Sequence, residues 1–311
     1  MTIAILYLIA GVVLAWFGGE LFVRGGVGLA AWARWPTAVI GVTVAAFGTS
    51  SPELMVAIHA ARDGVPQISL GDVLGSNVVN VSLVLGLVLS FSGMKAEDSS
   101  VLRDWFVSLL VPGIVYALLM DGWFSRSDAM IMMGIFFVWM LVVISHARTH
   151  AAAQAAPAQK VPLARMMGCI LVGLILLIGS AQFVVHGGTK IAAALGWSPF
   201  IVGAVIVAMA TSTPELATTL IARMRGHHDV GLGNILGSNI FNVMFIASVA
   251  ALIHPYKVNL PEIMPSLLFG ALTTLLIIPG AGGYIGRFRG FLLLAVYAVY
   301  VMLSLDHSAA H

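Results

Sequence analysis

Four short stretches set acids, hydroxyls and amides into otherwise apolar runs. They are Gly48-Thr-Ser-Ser-Pro-Glu53, Gly75-Ser-Asn-Val-Val-Asn80, Ala210-Thr-Ser-Thr-Pro-Glu215 and Gly237-Ser-Asn-Ile-Phe-Asn242. Proline removes a backbone donor and disturbs the carbonyl of the preceding turn. Neighbouring hydroxyls can re-satisfy the freed groups where water is absent. Ala46, Thr49 and Ser50 stand at i−7, i−4 and i−3 from Glu53, and Ala208, Thr211 and Ser212 repeat this around Glu215. On a helix those spacings share one face. Ser76 with Asn80, and Ser238 with Asn242, are i, i+4 pairs that make a second set of oxygen-bearing faces.

Carboxylates, hydroxyls, amide oxygens and freed carbonyls form a hard, all-oxygen donor set. Calcium takes about 6–8 such ligands in flexible geometry, whereas magnesium demands near-octahedral order. Sodium, a hard cation of similar size to calcium, suits the same oxygens. The four stretches hold no Cys or Met, which argues against copper as cargo.

The elements that must position these groups lie in lipid. Of the 311 residues 60% are hydrophobic and only 9% charged, with a mean hydropathy of +1.02. A chain so poor in charge cannot cover a globule with water-compatible surface. This excludes a soluble enzyme and a disordered regulator. The net charge of +2, with scattered basic residues, excludes a nucleic-acid binder. The lone Cys169 excludes a disulfide framework or a cysteine zinc site.

Spans of roughly 20 apolar residues are expected at 3–23, 37–60, 68–91, 101–120, 128–146, 161–185, 199–222, 230–253, 262–280 and 288–305. The first lacks a basic leader and is expected to be retained. Residues 1–146 and 161–311 then form two halves of five spans. The Ala-rich, Pro-punctuated segment 147–160 reads as a flexible cytoplasmic connector.

The halves are copies of one another. Shifting the chain by 162 positions lays 41–81 on 203–243 with 17 identities in 41 positions. Thr49 falls on Thr211, Ser50 on Ser212, Pro52 on Pro214, Glu53 on Glu215, Ser76 on Ser238 and Asn80 on Asn242. Outside the window, Trp35 falls on Trp197. Five spans is an odd number, so the second copy enters the membrane from the opposite face. Inverted repeats of this kind are a transporter signature, with the site near the midplane.

At these residues the sequence resembles the calcium/cation antiporter superfamily, most closely its prokaryotic sodium/calcium exchangers. GTSSPEL with GSNVVN, repeated as ATSTPEL with GSNIFN, looks like that family's paired α-repeats, here 41–90 and 203–252. The resemblance implies an all-α integral membrane fold of ten helices in two inverted five-helix repeats. Helices two, three, seven and eight would form the ion core, and one and six would slide past it. It implies exchange of several sodium ions for one calcium ion, with no cofactor and no obligate protein partner. Glu53 and Glu215 would be shared carboxylate ligands, and Thr49, Ser50, Thr211 and Ser212 would give hydroxyl or carbonyl oxygens. Ala46 and Ala208 would give carbonyls; Ser76, Asn80, Ser238 and Asn242 would complete the sites. Two positions depart from the pattern: Ala210 replaces a glycine, and Asn242 stands where some relatives carry Asp, leaving two carboxylates in the expected core.

Other polar residues have plainer readings. Glu20 and Arg24 read as a helix-end ion pair. Asp72, which falls on Asn234, reads as a helix-start cap, with a lesser case for a role in ion entry. His59 reads as a satisfied polar group, and His227-His228-Asp229 as a solvated loop. The Met130-Ile-Met-Met133 run reads as packing.

Three function classes follow. A sodium/calcium antiporter leads, and a proton-coupled or potassium-dependent calcium antiporter comes second. An intramembrane enzyme built on Ser50 would need a base, and none is evident in its motif.

Basic residues set the orientation. With the N-terminus outside, eleven Lys/Arg of the loops fall on the cytoplasmic side and four (Arg62, Arg126, Lys190 and Lys257) on the other. This predicts a multi-pass protein of the inner membrane with both termini periplasmic. A tag on either end should react with a membrane-impermeant label from outside; labelling from the cytoplasmic side alone reverses the assignment.

Overall fold

The computed structural model describes residues 2–32, 46–96, 99–154, 162–224, 226 and 228–309. The start of the second expected span (37–45), Trp35, the end of the connector (155–160), Arg225 and His227 lie outside the described residues. Ten helical segments follow in order among the described residues. They are α1 (Thr2–Trp32), α2 (46–62), α3 (Pro66–Phe91), α4 (Ser99–Leu118), α5 (Arg126–Gln154), α6 (Leu163–Leu195), α7 (Pro199–Met224), α8 (His228–Ile253), α9 (Leu260–Leu276) and α10 (Arg287–Ala309). Lipid offers the backbone no hydrogen bonds, so apolar runs of this length close their own as helices.

Burial separates the helices into two classes. The spanning windows of α3, α7 and α8 are 83%, 78% and 83% buried, against 19–33% for α1, α4, α5 and α10. The first set is three of the four helices expected to form the ion core; the fourth, α2, buries Thr49, Ser50 and Glu53. The second turns large apolar side chains outward, among them Phe106, Leu141 and Phe291.

Three elements run longer than the apolar runs alone foretell. α5 continues through Gln154, so the alanine-rich part of the expected flexible connector is helical. Alanine is the strongest helix former, which is a sufficient reason. α6 extends to Leu195, ten residues past the expected end at 185, and α1 likewise runs on to Trp32.

α1 and α6 pack antiparallel along glycines. A methyl group at Gly25 would meet the backbone of Met166, one at Gly173 that of Gly18 and Phe22, and one at Gly187 that of Ala4. Ser180 Oγ donates to Gly11 O at 2.8 Å within the same seam. An apolar cluster ties α2, α5 and α8 together: Phe47 lies 4.1 Å from Phe241, which stacks on Phe245 at 5.0 Å, with Phe136 against all three.

Two short antiparallel ladders bridge the halves. β1 (Met94–Lys95), after α3, pairs with β4 (Tyr284–Ile285), before α10. β2 (Trp123–Phe124), before α5, pairs with β3 (Tyr256–Lys257), after α8. Ten alternating crossings put the first pair of loops on one face and the second pair on the other. Arg223 reaching Ser92 Oγ at 2.8 Å and Arg126 reaching Leu252 O at 3.0 Å keep the same parity.

α3 and α7 approach backbone to backbone. A Cβ on Gly71 or Gly75 would collide with the main chain of Phe200 or Ala204, and one on Gly203 with that of Ile68. Gly75→Ala should therefore cost about 1–3 kcal/mol, the usual range for overpacking, read as a lower melting temperature in detergent. An unaltered melt would refute the close approach.

Candidate ion-binding site

The prolines shape the site from the backbone outward. Ser50 has φ −86° and ψ 11°, and its repeat partner Ser212 has φ −74° and ψ 5°, so both copies bend alike. On either side the helical bonding resumes: Ser50 N donates to Ala46 O at 3.0 Å and Leu54 N to Ser50 O at 3.1 Å. Ser212 and Leu216 make the same two bonds to Ala208 O and Ser212 O, at 3.0 and 3.1 Å. Between them Pro52 and Pro214 have no N–H to give, which leaves the carbonyls of Gly48 and Ala210 without that partner. Gly48 is packed under the ring of Phe22, where a methyl would clash. Ala210 tolerates its Cβ, and it is buried.

Wide π turns widen the helices where the second Asn of each motif sits. α3 carries one over Val79–Leu85 and α8 one over Asn242–Ile246; α7 has a third at Val202–Val207. Such turns break the regular ladder and recur at functional sites.

All twelve expected site residues are buried. Ser50 Oγ donates to Glu215 Oε1 at 3.1 Å, and Ser238 Oγ reaches the same oxygen at 3.4 Å. Thr49 Oγ1 lies 3.2 Å from Asn234 Oδ1 and 3.4 Å from Ser238 Oγ. Thr211 Oγ1 lies 3.0 Å from Asp72 Oδ1 and 3.4 Å from Ala208 O. Each threonine thus faces the other repeat. Among the described residues, both carboxylate oxygens of Glu53, Glu215 Oε2, Ser212 Oγ, Asn80 Oδ1 and Asn242 Oδ1 are buried with no hydrogen-bond partner. Buried polar atoms are rarely left so; Asp72 Oδ2 and Asn234 Nδ2, in the same core, are in the same condition.

Four corrections come with this geometry. Asp72 does not cap a helix start: it lies well inside the helix Pro66–Val78, fully buried, and accepts from Thr211 and from Ser76 Oγ at 3.4 Å. The core therefore holds three carboxylates and not two, and Glu53 interacts electrostatically with both Glu215 and Asp72. Ser50 does have a carboxylate at hydrogen-bond distance, that of Glu215. Glu20 and Arg24 do pair, at 2.8 Å, but inside α1, which runs on to Trp32, and not at a helix end; the plainer reading of His59, bonded to Met55 O at 2.8 Å, holds.

Sequence reasoning passed over the first Asn of each motif. Asn77 Nδ2 donates to Asn239 O at 3.0 Å and Asn239 Nδ2 returns to Asn77 O at 3.2 Å, a reciprocal clasp between α3 and α8. Their side-chain oxygens also accept from Asn242 and Asn80, at 3.5 and 3.1 Å. The signal was present in their identity under the 162-residue shift.

Two inverted halves meeting at a buried, oxygen-lined core define the class as a membrane antiporter. The chain belongs to the sodium/calcium exchanger protein family, which it matches over residues 3–145 and 166–305. A putative antiporter, CaxA, of Alkalimonas amylolytica is 33% identical over 82% of each chain. The calcium/proton antiporter ChaA of Bacillus subtilis is 24% identical over 83% of this chain and 81% of its own. The solved sodium/calcium exchanger of Methanococcus jannaschii is 28% identical, covers 97% of this chain and 98% of its own, and superposes with a TM-score of 0.72. The fold is thus the all-α integral membrane type, with ten transmembrane helices in two inverted five-helix repeats.

Asn77→Ala removes one arm of the clasp and leaves Asn242 Nδ2 without its acceptor. An unpaired buried group costs about 1–3 kcal/mol. The variant should melt earlier than the parent in detergent; equal melting would show that the clasp contributes nothing.

Proposed function

We propose that this protein is a secondary antiporter that exchanges sodium for calcium across the inner membrane by alternating access. The observation that carries the reading is Glu53, fully buried with neither carboxylate oxygen hydrogen-bonded, together with its repeat partner Glu215, also fully buried and with Oε2 unpartnered. Ionised carboxylates in a membrane interior are costly unless compensated. In this reading the central ion is held by the two glutamates with the neutral oxygens around them.

In this mechanism Glu53 and Glu215 are shared ligands of calcium and sodium. Thr49, Ser50, Thr211, Ser212, Ser76, Ser238, Asn80 and Asn242 complete the cage, with carbonyls of Ala46 and Ala208. Unoccupied, the core keeps its acids uncompensated, and passing that charge through a closed, dry state is unfavourable. Loaded with a divalent ion, or with monovalent ions in its place, the glutamate pair is neutralised and the transition becomes accessible. Exchange follows rather than leak. The halves divide at 1–146 and 161–311, joined by 147–160 on the cytoplasmic side, and both termini face the periplasm.

A second reading, proton-coupled calcium antiport, has support in the likeness to the Bacillus subtilis protein. Potassium dependence is the third. Radioactive calcium uptake into proteoliposomes, with sodium, potassium and pH gradients imposed one at a time, separates them. Sodium-driven uptake is expected; uptake driven by pH alone would promote the second reading. Glu53→Gln and Glu215→Gln should each lower sodium-dependent uptake by more than about a hundredfold, since losing one member of a buried charge set costs about 3–5 kcal/mol. Near-normal uptake in both would end the assignment.

A further inference from the structure

We propose that Asn77 and Asn239 are positioning residues that decide which end of an amide meets the transported ion. Each holds the second asparagine of the opposite repeat so that its oxygen, and not its N–H, faces the cage. The inference rests on the ligand roles given above to Asn80 and Asn242.

An amide has to be aimed, whereas a hydroxyl does not. Thr49, Ser50, Ser76 and Ser238 carry hydroxyls, whose oxygen can accept in any rotamer. Asparagine carries an oxygen and an NH2 group of nearly the same shape on one planar head. Turned one way it is a hard oxygen ligand; turned the other it presents protons and repels a cation.

The bonds that set the turn start at the backbone. Asn77 Nδ2 donates to Asn239 O at 3.0 Å, and Asn239 Nδ2 to Asn77 O at 3.2 Å. A main-chain carbonyl can only accept. The NH2 end of each first asparagine is thereby committed, and its Oδ1 is left to receive. What lies against those oxygens must be a donor: Asn80 Nδ2 on Asn239 Oδ1, at 3.1 Å, and Asn242 Nδ2 on Asn77 Oδ1, at 3.5 Å. With their NH2 ends so occupied, Asn80 and Asn242 have Oδ1 left over, buried in both and without a hydrogen-bond partner among the described residues.

The two bonds are one contact under the 162-residue shift, and both cross between the repeats. Each half therefore aims a ligand of the other. Asn77 stands in the regular helix Pro66–Val78 and Asn239 in His228–Phe241, just ahead of the wide turns that carry Asn80 and Asn242. The regular part of each helix thus orients a side chain on the irregular part of its partner.

The test is equilibrium binding of radioactive calcium to the purified full-length protein, in a cycle of parent, Asn239→Ala, Asn80→Asp and the double variant. Asn239→Ala leaves the main-chain carbonyl for Asn77 and removes the acceptor that holds Asn80 Nδ2. It should weaken calcium binding about tenfold to a hundredfold, the usual cost of losing a group that orients a metal ligand. Asn80→Asp has an oxygen at either end, so it needs no aiming and should still bind calcium. In that background Asn239→Ala should cost about twofold or less. A merely structural role would cost the same in both backgrounds. The mirror cycle, Asn77→Ala with Asn242→Asp, should show the same pattern, and it decides alone if Asn239→Ala does not fold. Unchanged calcium binding in folded Asn239→Ala, an equal loss in the two backgrounds, or loss of binding in both acid variants overturns the proposal. A parental protein that binds no calcium would instead refute the exchange reading itself.

Discussion

Negative charge held away from water organises this molecule. Glu53, Glu215 and Asp72 are fully buried, and among the described residues no basic side chain pairs with them. A soluble protein could relax such a cluster by admitting water. Here three highly buried helices and a sheath of lipid-facing ones keep it enclosed. The surrounding hydroxyls and amides soften the cost without cancelling the charge, because each offers a dipole and not an ion. The features around the core then follow as means of crowding oxygen atoms there: paired prolines, wide turns and glycine contacts.

The inverted duplication is what makes the crowding economical in sequence. One stretch of about forty residues (17 of 41 positions identical between copies) provides both walls. Contacts that cross between copies come in pairs, as in the clasp of Asn77 with Asn239. Departures from pairing are then informative. Ser50 bonds to Glu215, while Ser212 Oγ and the Glu53 oxygens have no partner. The same sequence motif has thus settled into two unequal states on the two sides of the core.

Much of this was legible in the sequence. Composition alone places the chain in the membrane, and the 162-residue shift forces inverted halves. The oxygen ligand set could be read because proline, acid and hydroxyl are out of place in apolar runs. What escaped was of two kinds. Asp72 sits only six residues after Pro66, near enough to a helix start to read as a cap, and only the packing of α7 against α3 reveals that it points into the core. The π turns left no periodic trace, since one extra residue in a wholly buried helix shifts no polar face into view. The helical extension of α5 to Gln154 was hidden by treating alanine as linker composition when it is also the best helix former.

The two small ladders, β1 with β4 and β2 with β3, act as rivets. One fastens the end of α3 to the start of α10, and the other the end of α8 to the start of α5, at opposite faces. A frame pinned at both ends resists internal shear. α1 and α6 have no strand of their own among the described residues, and their seam of glycines binds them chiefly to each other. Across the border where that pair lies against the pinned remainder, the contacts are made by side chains such as Phe22 on Gly48 and Val207 on Gly188, with no ladder among the described residues.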